Sequence, residues 1–138
     1  MAGHLLISEG SNIFRLKRLS IAEKNPVAIE ETHITLSLCP DIVNVDFWRD
    51  SLYEFLSTQG LRPISAHQVM TAEVATDEEA DLLNIGHPAS VMRMKRTTFL
   101  SNGKPIEFVQ SAYSGADFQF TLYLRSGTDF SGDIRQTE

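Results

Sequence analysis

Cysteine is almost absent from this chain. The single Cys39 has no second thiol to close a disulfide with and cannot build a cysteine-based metal site. A lone cysteine of this kind fits a reducing cytoplasm, the localisation expected here. Positive charge is also short: 12 Lys and Arg stand against 18 Asp and Glu, a net charge of −6. A nucleic-acid-binding domain normally presents a basic face, so the chain is not expected to bind DNA by itself. No apolar run approaches the roughly 20 residues that span a bilayer. Residues 1–7 are too short and too uncharged for a signal peptide. There is no Gly-rich phosphate loop, no GxSxG and no HExxH. His4, His33, His67 and His87 are scattered without i, i+4 pairing. Nucleophilic and metal chemistry thus find little support, and no catalytic residue, metal or cofactor is expected.

What is present suits one compact α+β domain. The 138 residues are 42% hydrophobic and 22% charged, enough apolar material for a core. The chain also says one thing twice. Leu5-x-Ile7, then Ile13-Phe14-Arg15-Leu16-Lys17-Arg18, then Asn25-Pro26-Val27 return as Leu83-x-Ile85, Val91-Met92-Arg93-Met94-Lys95-Arg96 and Lys104-Pro105-Ile106. The offset is 78 residues up to the Arg-x-Lys-Arg core and 79 after it, so one residue is inserted in the second turn. Self-similarity at a fixed offset marks a duplicated structural unit, here helix end, strand, tight turn, strand.

Residues 2–7 read as the tail of a helix, which implies a truncated N-terminus. Strands are predicted at 12–23 and 27–36 around a turn at Glu23-Lys24-Asn25, with β-branched Thr32, Ile34 and Thr35 in the second. A helix is predicted at about 46–58. Trp48, Leu52, Phe55 and Leu56 share one face, Asp46 or Asp50 caps the start, and Gly60 closes the end. Residues 64–75 read as extended. Thr76 to Glu79 form a capping box that opens a short helix through Leu83. A second hairpin, 89–100 with 105–113, turns at Asn102-Gly103. A last strand, 116–125, carries Phe118, Phe120, Leu122 and Leu124 on one face. The Gly/Ser/Asp-rich stretch 126–138 is expected to fray. The sum is an antiparallel sheet with helices packed on it.

Two groups of residues could carry chemistry. Arg18 and Ser20 share a strand face, and Ala28, Glu30 and Thr32 form a same-face set across the hairpin. In the second hairpin Glu107, Val109, Ser111 and Tyr113 share a face. Such polar faces are costly to bury unless they pair or meet a polar ligand. The same residues read equally as a cross-strand Arg18–Glu30 pair facing water. Ser51 falls near the first turn of the predicted helix, where it is either a plain cap or part of an anion-receptive helix start.

Taken in order, these segments resemble the effector-binding (UTRA) domain of GntR-type bacterial transcription regulators, in the HutC branch. Arg18-Leu19-Ser20-Ile21-Ala22 with Asn25-Pro26-Val27-Ala28-Ile29-Glu30 is similar to the family's first strand pair. Ser51-Leu52-Tyr53-Glu54-Phe55-Leu56 resembles its S-L-Y-x-x-L helix. Glu73-Val74-Ala75 through Leu82 is similar to its next element. Gly103-Lys104-Pro105-Ile106-Glu107-Phe108 with Tyr113 resembles its G-x-P-x-E-Y hairpin. The resemblance covers about residues 5–124. It implies a chorismate-lyase-like fold with an internal duplication, a small-molecule pocket beside the sheet, a homodimer, and DNA binding only through a winged helix-turn-helix outside this chain. It also implies that Arg18, Ser20, Glu30, Ser51, Glu107 and Tyr113 are ligand-binding. Residues 1–125 would be the effector-binding domain.

Three positions depart from the family pattern. Ser20 replaces a second Arg, and Ser114 and Ala116 replace the Arg and Asp of Y-R-x-D. One guanidinium fewer weakens the grip on a phosphate, because bidentate Arg is the usual anion clamp. The expected effector is a small polar metabolite, such as a sugar phosphate or amino sugar. The alternative is a chorismate-lyase-like enzyme that holds a carboxylated substrate with Arg and uses a Glu as acid.

Overall fold

Two hairpins make most of the fold. β1 (Ile13–Ala22) and β2 (Asn25–Thr35) are joined by Glu23 and Lys24, whose φ angles are 50° and 70°. Positive φ at both central residues gives the primed turn that matches the twist of paired strands. β4 (Ser90–Leu100) and β5 (Pro105–Ser114) are joined through Asn102 and Gly103. Gly103 has φ 81°, and the Asn102 side-chain oxygen accepts from the Lys104 N–H at 2.9 Å. β3 (Pro63–Val74) completes an antiparallel sheet of order β1-β2-β5-β4-β3. The duplicated hairpins therefore meet through their second strands. β5, in the interior of this order, is buried at nearly every position, whereas the edge strand β3 is mostly exposed. The structure, a computed structural model, describes residue 5 and residues 11–47, 51–116, 118–124 and 131–136, the last for its backbone.

Helix α1 (Leu52–Thr58) begins later than the periodicity predicts. Two 3-10 turns, Leu36–Leu38 and Pro40–Asn44, precede it, and Val45 is extended (φ −84°, ψ 135°), which ends helical geometry there. The N-cap is Ser51 rather than Asp46, and its side chain makes no cap hydrogen bond. Trp48 and Asp50 lie outside the described residues. Gly60, at φ 74°, follows the helix as expected. Helix α2 (Asp77–Leu83) has the full capping box: Thr76 Oγ1 accepts from the Glu79 N–H at 3.2 Å, and Glu79 Oε1 accepts from the Thr76 N–H at 2.9 Å. Its C-cap is Asn84 in the left-handed region. Of the predicted first helix, only Leu5 is described; it is helical and buried.

The chain divides into two compact units, and residues of all five long strands occur in both. The first holds 30–70 and 94–111 with the start of β1. Its core is Ile34, Cys39, Ile42, Leu52, Leu56, Leu100 and Ile106. Fully burying each large aliphatic side chain contributes about 1.5–3 kcal/mol, so Leu52 and Leu56 fix α1 here. The second unit holds 19–29, 71–93 and the chain from Ala112. Its core joins Ile29, Leu83, Val91 and Ala112.

In this second unit β6 (Phe118–Tyr123) pairs antiparallel with β7 (Ser131–Gln136), Phe118 opposite Gln136. The stretch 126–138, read from composition as frayed, thus contains a strand. Its Gly, Ser and Asp disfavour an isolated strand, but the ladder to β6 supplies the backbone partners that composition cannot. Phe120, Leu122 and Leu124 are exposed.

Candidate functional site

Counting away from the second turn, Thr98 lies two residues before the end of β4 and Glu107 two residues after the start of β5. Their side chains meet: Glu107 Oε1 accepts from Thr98 Oγ1 at 3.1 Å. The same oxygen accepts from Tyr53 Oη, carried on the first turn of α1, at 3.0 Å. Glu107 is only 1% exposed. Burial pushes its pKa above the usual carboxylate range, against the pull of the two hydroxyls and of the Arg96 charge. Burial, with the Glu107 charge second, pushes Tyr53 up to about 12.

Tyr53, Arg96 and Thr98 line an open cleft of about 480 Å³, with Ile64, Ser65 and Ala66 of β3 along it. This volume lies within the range of small-molecule sites. Arg96 is half-buried, and its Nε is buried without a hydrogen-bond partner. The Tyr53 and Thr98 hydroxyls, both bonded to the buried Glu107, and a guanidinium whose Nε has no partner thus line one cleft. The arrangement can hold a small molecule with both hydrogen-bonding and charged groups. Among the described residues no cluster of His, Cys, Asp and Glu could hold a metal ion.

The residues singled out in the sequence fare differently. Glu107 is the buried acceptor just described. Arg18 Nη2 donates to Glu30 Oε1 at 2.8 Å, the cross-strand pair that spacing allowed, and both side chains are part-exposed. The Glu30 charge still reaches Tyr53 and Glu107, raising both pKa values. Ser51 is exposed and stands two residues before Tyr53. Ser20 and Tyr113 belong to the second unit, where Ser20 is exposed and Tyr113 stacks on Phe118 at 4.4 Å. Sequence reasoning overlooked Tyr53, Thr98 and Arg96. Arg96 was nevertheless marked by the duplication as the counterpart of Arg18, and Tyr53 sits inside Ser-Leu-Tyr.

A second charged cluster lies wholly in the second unit. Arg93 donates from Nη1 and Nη2 to the two Glu79 oxygens at 2.7 and 2.8 Å, and from Nε to Glu73. These bonds, with the cap, hold the Glu79 pKa down at about 2. In the first copy Arg15 donates to Glu31 at 2.7 Å. Glu31 Oε1 also meets Nε2 of the buried His33 at 2.9 Å. These pairs tie structural elements together.

The comparisons with known proteins agree with this architecture. The chain matches the UTRA domain over residues 1–119 and belongs to that family. It is 36% identical over 115 residues to the HTH-type transcriptional repressor NagR of Bacillus subtilis, covering 83% of this chain and 47% of that one. It is 27% identical over 122 residues to the mannosyl-D-glycerate transport/metabolism system repressor MngR of Escherichia coli, covering 86% and 49%. The chain spans about half the length of these two relatives. The effector domain of PhnF from Mycobacterium smegmatis superposes with a TM-score of 0.85 at 21% identity, covering 91% of this chain and 77% of that one, and shares the fold. Among the described residues no helix is long and apolar enough to cross a membrane.

Proposed function

We propose that this chain is the effector-sensing domain of a GntR/HutC-type transcription regulator and binds a small polar metabolite in the cleft above Glu107. The observation that carries this reading is the buried Glu107, held by Tyr53 and Thr98 beside a 480 Å³ cleft in a UTRA-family chain. Glu107 and Glu30 accept from ligand hydroxyl or amine groups. Ligand binding shifts a homodimer between states of different DNA affinity, with DNA held by a winged helix-turn-helix of the full-length regulator. A sugar derivative suits a site of hydroxyls and carboxylates, and the regulators this chain resembles include one named for a mannosyl-D-glycerate system. The relatives named above are regulators, which favours sensing over turnover.

A thermal-shift screen of phosphosugars, amino sugars, neutral sugars and amino-acid derivatives, followed by calorimetry, tests this. A true effector at 100 times its Kd adds about 2.7 kcal/mol of stability. A Tyr53→Phe or Glu107→Gln variant should lose most of that gain. Binding that ignores both substitutions would place the ligand elsewhere and overturn the proposal.

A further inference from the structure

The duplication places four arginines at two equivalent positions: Arg15 with Arg93, and Arg18 with Arg96. Three of them have carboxylate partners. Arg15 is paired with Glu31, Arg18 with Glu30, and Arg93 with Glu79 and Glu73. Arg96 has none among the described residues, and its Nε is buried without a hydrogen-bond partner. It is also the one arginine of the four that lines the cleft. No ion pair joins it to the nearby Glu107, which feels the Arg96 charge only through space.

We propose that Arg96 is the charge-selecting residue of the cleft and that the effector carries an oxyanion, phosphate or carboxylate, which Arg96 binds. This rests on the sensing role proposed above and adds the charge class and the residue that reads it. A guanidinium offers five N–H donors in a planar fork that matches either oxyanion. A charged donor left unpaired in a part-buried site is costly, and an arriving anion removes that cost. Arg18 is a poorer anion site because Glu30 already occupies one face of its fork at 2.8 Å. The two copies have therefore diverged: one arginine closes an internal pair, and its counterpart remains open to a ligand. The oxyanion lies at Arg96, and the uncharged polar groups of the ligand meet the Tyr53 and Thr98 hydroxyls that line the same cleft.

The test titrates the full chain with inorganic phosphate and, separately, with acetate at constant ionic strength, following unfolding temperature and calorimetric heat. Saturable binding of phosphate or of acetate is expected, and the stronger of the two identifies the oxyanion. Arg96→Gln should weaken it by about 10- to 150-fold, the loss of one hydrogen bond to a charged group. Lys95→Gln, the same charge change at an exposed neighbour, should leave it unchanged, and Arg18→Gln should cost less than Arg96→Gln. If Arg96→Gln does not fold, Arg96→Lys serves instead. It keeps the charge but loses the fork, and should still bind several-fold more weakly. Equal affinity in wild type and the Arg96 variant, or no saturable response to either anion, overturns the proposal. A neutral sugar that stabilises wild type and Arg96→Gln alike would remove this inference while leaving the sensing role standing.

Discussion

Glu107 shows how one residue serves both fold and site. Its carboxyl is buried, and burial raises its pKa above the ordinary 4.5. The folded state therefore holds that proton more tightly than the unfolded chain does. As pH rises above about 4.5 the unfolded carboxyl ionises first, so this group's contribution to stability falls until the folded pKa is passed. Glu107→Gln keeps an oxygen to accept from Tyr53 and Thr98 but carries no charge to bury. At pH 7 it should be at least as stable as wild type, with the difference shrinking toward pH 4.5. Urea unfolding at several pH values measures this. A variant clearly less stable at pH 7 would show that Arg96 and the two hydroxyls outweigh the burial cost. At the residue scale the sequence pointed to Glu107 through its place in the hairpin. It could not point to Thr98, because a threonine on a strand has no chemistry of its own until a buried carboxylate faces it.

At the scale of elements, local chemistry that closes within a few residues was the most legible. The Thr76–Glu79 capping box, the Asn102-Gly103 turn and the Gly60 helix end all stand where the sequence put them, because each is satisfied by its near neighbours. The start of α1 was misread because the apolar spacing from Trp48 onward fits a helix, while the 3-10 turns and the extended Val45 that delay it have no periodic signal. The strand over Ser131–Gln136 was missed for a similar reason, its partner lying in β6. Glu79 offers the sharpest test at this scale, since it caps α2 and grips Arg93 together. Its folded pKa of about 2 lies below the ordinary 4.5, so its contribution is fully present above pH 4.5 and is lost as pH falls toward 2. Glu79→Gln keeps an oxygen for the Thr76 cap but loses the charge that grips Arg93, and should cost about 1 kcal/mol or more at neutral pH. The gap to wild type should close in acid. An equal gap at pH 7 and pH 2.5 in denaturation experiments would refute the ionic account.

For the whole molecule, the sheet order leaves β1 and β3 as edges, and strand edges invite pairing with another chain. Ile21 on β1 is 62% exposed and Val74 on β3 is 71% exposed. The homodimer proposed above should appear in sedimentation at high micromolar concentration as a species of twice the chain mass. A single species of one chain's mass would contradict it. The duplication was legible because its charges, turn prolines and spacing repeat together. How the copies join was not, since nothing in either hairpin states that β2 will lie beside β5. That junction carries a consequence for the history of the chain. Two separate molecules of one such hairpin, docked along their second strands, would make the same four strands as a symmetric pair. Symmetry would force every residue to appear on both sides at once. Fusing the copies into a single gene removes that constraint. Ala28 and Glu107, equivalent positions in the repeat, could then part ways, one a methyl group and the other a buried acid. A lone acid on one side is something a symmetric ancestor could not have owned.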